Sequence, residues 1–230
     1  MTVFYDWPAA VRLNSILVYP SGALEAGRLS RAEFDNSVRI PGGRNIARAT
    51  FATMGPDTLN WFHWFAGRIA GNIIRLPLHQ SGQVADTAEL QAAEPQYPTG
   101  IPFSNTQPFS TGYGFQFSPT GDVLTAVQKG DVTVTADLSR WPGALTFGKV
   151  FGLGYGVHHV QDIAYTGSVA DIAFSPPARR DILAGEALRL RPSLLCKAID
   201  PNSFMEPVKH ARLASPGPMV LREVIDDSLL

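Results

Sequence analysis

The sequence predicts a mainly β fold: a β-sandwich or related sheet with one covering α-helix, plus a small inserted β-barrel. Three observations carry this. Short apolar runs with a period of two are broken repeatedly by turn residues, in a chain holding 21 Gly and 18 Pro. A single segment, Gly55-Pro56-Asp57 to Gly71, carries both helix start and stop signals. Past residue 120, five short runs follow one another at the spacing of a small barrel or sandwich.

The first segment reads as strands separated by turns. Val11, Leu13, Ile16 and Val18 surround Asn14-Ser15 and end at Pro20-Ser21-Gly22, which predicts a strand pair or a bulged strand. Val38 and Ile40 lead into Pro41-Gly42-Gly43. Then Ile46, Arg48, Thr50 and Ala52 alternate with Ala47, Ala49, Phe51 and Thr53, the pattern of a half-buried strand whose Arg48 face is wet or meets a partner.

Proline at a first helical position sacrifices no hydrogen bond, and Asp57 complements the helix dipole. A helix is therefore expected over 57–70. Leu59, Phe62, Phe65, Ala66 and Ile69 form one apolar face, and Trp61, Trp64 and Arg68 a second. That second face fits either a wide core helix lying across a sheet or an aromatic surface docked on a neighbouring subunit, since Trp and Arg anchor interfaces. Ile73-Ile74-Arg75-Leu76-Pro77-Leu78 leaves the helix as a short strand.

From Ser81 to Gln107 periodicity is lost, and a loop of more than about 15 residues marks a function or a domain boundary. The expected division is a first module over 1–95, completed by a return segment over 188–230, with the barrel module over 96–187. Phe103, Phe109, Tyr113, Phe115 and Phe117 open that second module. Its runs are Val123 to Val127, Val132 to Leu138, Leu145 to Phe151, Gly156 to Ile163 and Val169 to Phe174, with tight turns at Gly130-Asp131 and Gly167-Ser168. Leu188, Leu190, Leu194 and Leu195 make a further strand-like stretch returning to the first module.

Composition narrows the function classes. With 45% hydrophobic and 17% charged residues and a mean hydropathy of +0.01, the chain is globular. A chain of 230 residues buries roughly 70–75% of its unfolded surface, enough for a core without staples. No apolar run reaches the ~18 residues that cross a bilayer, and the start lacks a basic n-region, so neither membrane insertion nor a secretory leader is expected. The single Cys196 excludes an internal disulfide and reads as a small core hydrophobe. The 19 Lys and Arg against 20 Asp and Glu are scattered, so no basic stripe for specific nucleic-acid binding is read. The low charge implies that part of the surface is covered by partners.

Candidate chemistry is sparse. Gly152-x-Gly154-x-Gly156 places its third glycine one position early for a dinucleotide loop and precedes no helical pattern, so a strand bend is the reading, with no cofactor. His158-His159 with Asp162 has the residue types of a metal site, but neighbouring strand residues point to opposite faces. No metal is expected. His63 has no acidic partner at helical spacing, and His79 and His210 fall in apparent loops. There is no Gly-x-Ser-x-Gly, and Asp131, Asp137 and Asp162 are dispersed. The sequence thus offers no catalytic residues, and the chain is not expected to be an enzyme.

The order of certain motifs resembles siphophage distal tail and related minor tail-tip proteins. One set is Gly130-Asp131, the glycine-rich turn, Val157-His158-His159-Val160, Ala170-Asp171-Ile172-Ala173-Phe174 and Ser175-Pro176-Pro177-Ala178-Arg179. The other is Pro41-Gly42-Gly43-Arg44, the strand Ile46 to Phe51, the helix Thr58 to Ile69 and the exit Ile74-Arg75-Leu76-Pro77. Asn45 stands where relatives often have tryptophan. The resemblance covers roughly residues 30 to 200. It implies a tail-tube-like ring domain, a homohexamer at the end of the tube, and a barrel facing outward or toward the baseplate. It further implies a structural place in the virion tail, assembled in the host cytoplasm, with itself, the tail tube protein and the tail hub or baseplate protein as partners. Trp61, Trp64, Arg68 and Arg48 are the expected subunit-interface residues. Another tail or neck adaptor, or a monomeric β-barrel that binds or hydrolyses a small ligand, are the alternatives.

Overall fold

The computed structural model describes residues 4–8, 11–21, 23–25, 38–40, 43–69, 71–78, 81–85, 90, 118–200, 208–210 and 213–225. In chain order these form β1 (Phe4–Asp6), β2 (Leu13–Pro20), β3 (Ala23–Glu25), β4 (Val38–Ile40), β5 (Asn45–Phe51), α1 (Pro56–Ile69), β6 (Ile73–Pro77), β7 (Thr120–Val123) and β8 (Thr133–Asp137). Then come β9 (Val150–Leu153), β10 (Gly156–Thr166), β11 (Val169–Ser175), β12 (Ala187–Arg189), β13 (Ser193–Ala198), β14 (Val208–His210), β15 (Leu213–Ser215) and β16 (Met219–Glu223). The chain is mainly β, with one α-helix among the described residues, an open six-stranded sheet ordered β1-β6-β13-β16-β5-β2 and a closed barrel ordered β10-β11-β8-β7-β12-β9.

Helix α1 begins where Gly55 O accepts the Leu59 N–H at 2.9 Å and Pro56 fixes the first turn. Asn72 closes it, its side-chain amide donating to Arg68 O at 2.7 Å after Gly71 takes φ +78°. Phe62, Phe65, Ala66 and Ile69 are buried against Phe51, Ile74, Leu76 and Leu221 of the sheet. Burying each phenylalanine contributes about 1.5–3 kcal/mol. Trp7 joins them, edge-on to Phe65 at 4.8 Å.

The barrel packs on that same face of the sheet. Val150 of β9 and Val157 of β10 enter the sheet's core cluster, beside Val18 and Ala47. The barrel interior is a separate cluster that includes Val123, Val134, Phe151, Ile172, Phe174 and Leu188. Cys196 is fully buried on β13, and burial pushes its thiol well above the usual range.

Three expected runs differ in detail. The run Val123 to Val127 is strand only up to Val123, and Val127 makes an isolated bridge to Ile182. Leu145 to Phe151 becomes regular strand only at Val150, because Gly148 turns the chain at φ +78° and Lys149 N bonds back to Thr146 O. Leu188 to Leu195 is two strands: Leu188 closes the barrel in β12, while β13 joins the open sheet after Pro192. The bulge expected near Asn14-Ser15 lies between Leu13 and Ser15. His210 ends β14 rather than sitting in a loop. His79, Pro41-Gly42, the run Phe103 to Phe117 and most of Ser81 to Gln107 lie outside the described residues.

The described start of that last segment has a specific task. Strand β2 is a sheet edge, and Gln83 completes it with a side chain: Oε1 accepts Val18 N–H at 2.7 Å and Nε2 donates to Val18 O at 2.8 Å. An amide thus substitutes for a neighbouring strand. The next residue, Val84, bridges Val150 of the barrel, and Gln83 O accepts Val150 N–H at 2.7 Å. Replacing Gln83 with Ala is expected to cost about 1–3 kcal/mol in chemical denaturation, since two backbone groups lose their partners. A variant as stable as the parent would show that the edge does not need this amide.

Candidate interaction surface

The outward face of α1 is aromatic. Trp61 and Trp64 are 51% and 48% exposed, and their rings meet edge to face at 5.7 Å. The Arg68 guanidinium lies over the Trp64 ring at 4.6 Å and over the Tyr5 ring of β1 at 5.7 Å. Asp57, Asn60, Trp61 and Trp64 line an open depression of about 570 Å³. The indoles are half exposed rather than enclosed in the core, and they pack on each other and on Arg68. Asp57, Asn60 and Tyr5 were missed in the sequence. The spacing 57, 60, 61, 64, 68 is one helical stripe and contained the signal for the first two.

Arg48 is not part of this surface. It lies mid-strand on β5, exposed on the opposite side of the sheet, opposite Leu17 of β2 and Val220 of β16. The four residues expected to share an interface therefore occupy two faces.

Between sheet and barrel sits a buried polar cluster that sequence reasoning did not find. Glu223 Oε2 accepts Asn45 N–H at 2.8 Å and Asn45 Nδ2–H at 3.1 Å, and meets Arg179 Nη2 at 3.4 Å. Arg179 also donates to Gly43 O at 2.6 Å. Asn45 Nδ2 donates to Val157 O of the barrel at 2.7 Å, which leaves Asn45 Oδ1 to accept from His159 Nε2 at 3.2 Å. The alternation Met219, Leu221, Glu223 placed a carboxylate on the core side of β16 and was the available signal. Burial pushes the Glu223 carboxyl above its ordinary value, opposed by the Asn45 N–H and Arg179.

The two histidines diverge as strand geometry requires. His158 points into the barrel beside Phe151 and Phe174 and donates from Nδ1 to Pro176 O at 2.7 Å, while His159 faces the sheet. Among the described residues no group of three or more His, Cys, Asp and Glu converges on a point where a metal ion could sit. The glycine motif beside them is a hairpin. Gly154 turns at φ +57°, and a side chain at Gly156 would come within 2.7 Å of His158 Nε2. Among the described residues no helix is long and apolar enough to cross a membrane.

No family model matches this chain, and no curated protein matches it either.

The buried imidazoles carry a pH dependence. Burial lowers His158 from 6.5 to about 4, with the Pro176 bond opposing and Arg179 and His159 adding to the shift. Burial lowers His159 from 6.5 to about 4 as well. The unfolded chain therefore takes up these protons first, so the stability is whole above pH 6.5 and is lost as pH falls toward about 4. Each group contributes on the order of 3 kcal/mol to that loss. Because Glu223 shifts upward, it works against the loss over part of the window. The histidine part is read as the difference between the parent and His159→Gln in urea melts, and the variant is expected to lose less stability on acidification. Identical pH profiles would show that His159 is not held neutral by the fold.

Proposed function

We propose that this chain is a structural subunit of a phage tail tip, a distal tail protein, that forms a ring joining the tail tube to the hub or baseplate. The carrying observation is the half-exposed Trp61–Trp64–Arg68 surface of α1, where the two rings and the guanidinium pack on one another. Indoles held in place lose little entropy on docking, and Trp and Arg are the residue types that dominate interface energetics. A mainly β chain whose outer sheet face exposes Arg48, Arg75, Lys197 and Arg222 supports the same reading, as does the motif order described above. Six copies is the stoichiometry that the resemblance implies, with the tail tube protein and the hub or baseplate protein on either side of the ring.

A ring needs one heterologous contact repeated about an axis until it closes. The depression beside Trp61 and Trp64 has room for a side chain from a neighbour. The same depression favours a second reading, a monomer that binds a small apolar ligand there. Light scattering of the purified chain separates them: about six copies is expected, and a monomer at every concentration overturns the ring. Trp64→Glu leaves the core untouched, since its ring is half in solvent, and is expected to reduce the particle to smaller species without lowering the melting temperature. An unaltered ring would remove this helix face from the contact.

A further inference from the structure

Two exposed faces of this molecule carry like charges directly opposite one another. On the open sheet, Lys197 of β13 pairs in register with Arg222 of β16. Arg48 lies on the next strand and Arg75 on β6, and all four are exposed. The four strands β6, β13, β16 and β5 hold a single acid, Glu223, and it points inward. Arg75 has Asp6 at 3.4 Å, but Arg48, Lys197 and Arg222 make no ion pair among the described residues.

On the barrel the sign is reversed. Asp122 of β7 pairs in register with Asp137 of β8, and Asp171 of β11 lies on the adjoining strand, its carboxylate accepting from Thr135 Oγ1 at 2.7 Å. Strands β7, β8 and β11 contain no Lys or Arg. Like charges facing each other across a ladder are destabilising, by roughly 0.2–1 kcal/mol a pair. Each pair is relieved when opposite charge arrives from outside.

Topology sets these two faces at opposite poles. The barrel touches the sheet through β9 and the first half of β10. In the closed order β10-β11-β8-β7-β12-β9, strands β8 and β7 are the ones across from β9 and β10. The acidic pole is thus the side of the barrel farthest from the sheet. The basic pole is the side of the sheet facing away from the barrel.

We propose that copies of this chain associate head to tail, with the Lys197–Arg222 face of one seated on the Asp122–Asp137 face of the next. The occupant of the basic face is a second copy because its charge complement lies on the same chain, at the pole where a repeating contact needs it. This deepens the ring reading and rests on it, a turn between successive copies closing the repeated contact into a ring rather than an open stack. Arg48 joins the contact, which acts together with the Trp61–Trp64 surface in holding one copy to the next.

The test uses two doubly reversed chains, Lys197→Glu with Arg222→Glu, and Asp122→Lys with Asp137→Lys. Each keeps a like-charge pair in place, so melting temperatures are expected to stay near the parent's. In sedimentation velocity each is expected to associate at least about tenfold more weakly than the parent. Mixed together, one carries acid at both poles and the other base at both, so assembly is expected to return. Parent assembly is expected to weaken from about 0.05 M to about 0.5 M salt, as the screening length shrinks. If the basic-face reversal dissolves the assembly and the barrel reversal does not, the barrel is not the occupant and the proposal fails. If neither reversal acts while Trp64→Glu does, the ring stands and this contact falls. A parent chain that is monomeric throughout removes the ring and the contact together.

Discussion

The Glu223 carboxylate, buried where sheet meets barrel, constrains how the two halves of this molecule fit. A carboxylate taken from water without partners costs several kcal/mol, so it stays only where donors are fixed around it. Here the donors come from separated parts of the chain: the backbone and side-chain amides of Asn45 at the start of β5, and the Arg179 guanidinium beyond β11. Asn45 in turn holds Val157 O and His159 of β10. Sliding the barrel along the sheet by one residue would break these bonds together. The apolar contacts of Val150 and Val157 supply adhesion without direction, and the polar cluster supplies the register.

Fixing that register decides which surfaces remain. The inner face of the sheet is covered by α1 and by β9 and β10. The edge at β2 is closed at Val18 by the Gln83 amide. Among the described residues, the aromatic stripe of α1, the Arg48, Lys197 and Arg222 side of the sheet and the far wall of the barrel face outward. The three differ in chemistry: indoles, cations and carboxylates. A surface divided in this way favours directional contacts over indiscriminate association.

Much of the architecture was legible in local patterns. Pro56, Asp57 and Gly71 mark the helix, and the alternation from Ile46 to Thr53 assigns Ala47, Ala49 and Phe51 to the core and Arg48 to the outside. These signals are short-range and survive translation into structure because each depends only on neighbours in sequence. The division of Leu188 to Leu195 into two strands of different sheets was not legible, since Leu188 and Leu194 are alike as apolar residues and only the position of Pro192 hints at the change. The polar cluster was hidden for another reason. Asn45, Arg179 and Glu223 are 134 and 44 residues apart and meet only through the fold.

Charge was misleading in the linear chain for that same reason. Nineteen cations spread against twenty acids look evenly mixed, and the net of −1 hides any pattern. Alternation along strands sorts them. On β16 the sequence Arg222-Glu223 puts the cation in solvent and the acid in the core, so one neighbouring pair adds positive charge to the outside while the net stays neutral. On β7 and β8 the acids fall on the outer phase, Asp122 beside Gly121 and Val123, and Asp137 beside Ala136. A chain can therefore be close to neutral overall and still be strongly polarised, because period two converts mixed sequence into separated faces. Any reading of partners from composition alone passes over that step, and in a β-protein it is the step that determines which surface a neighbour meets.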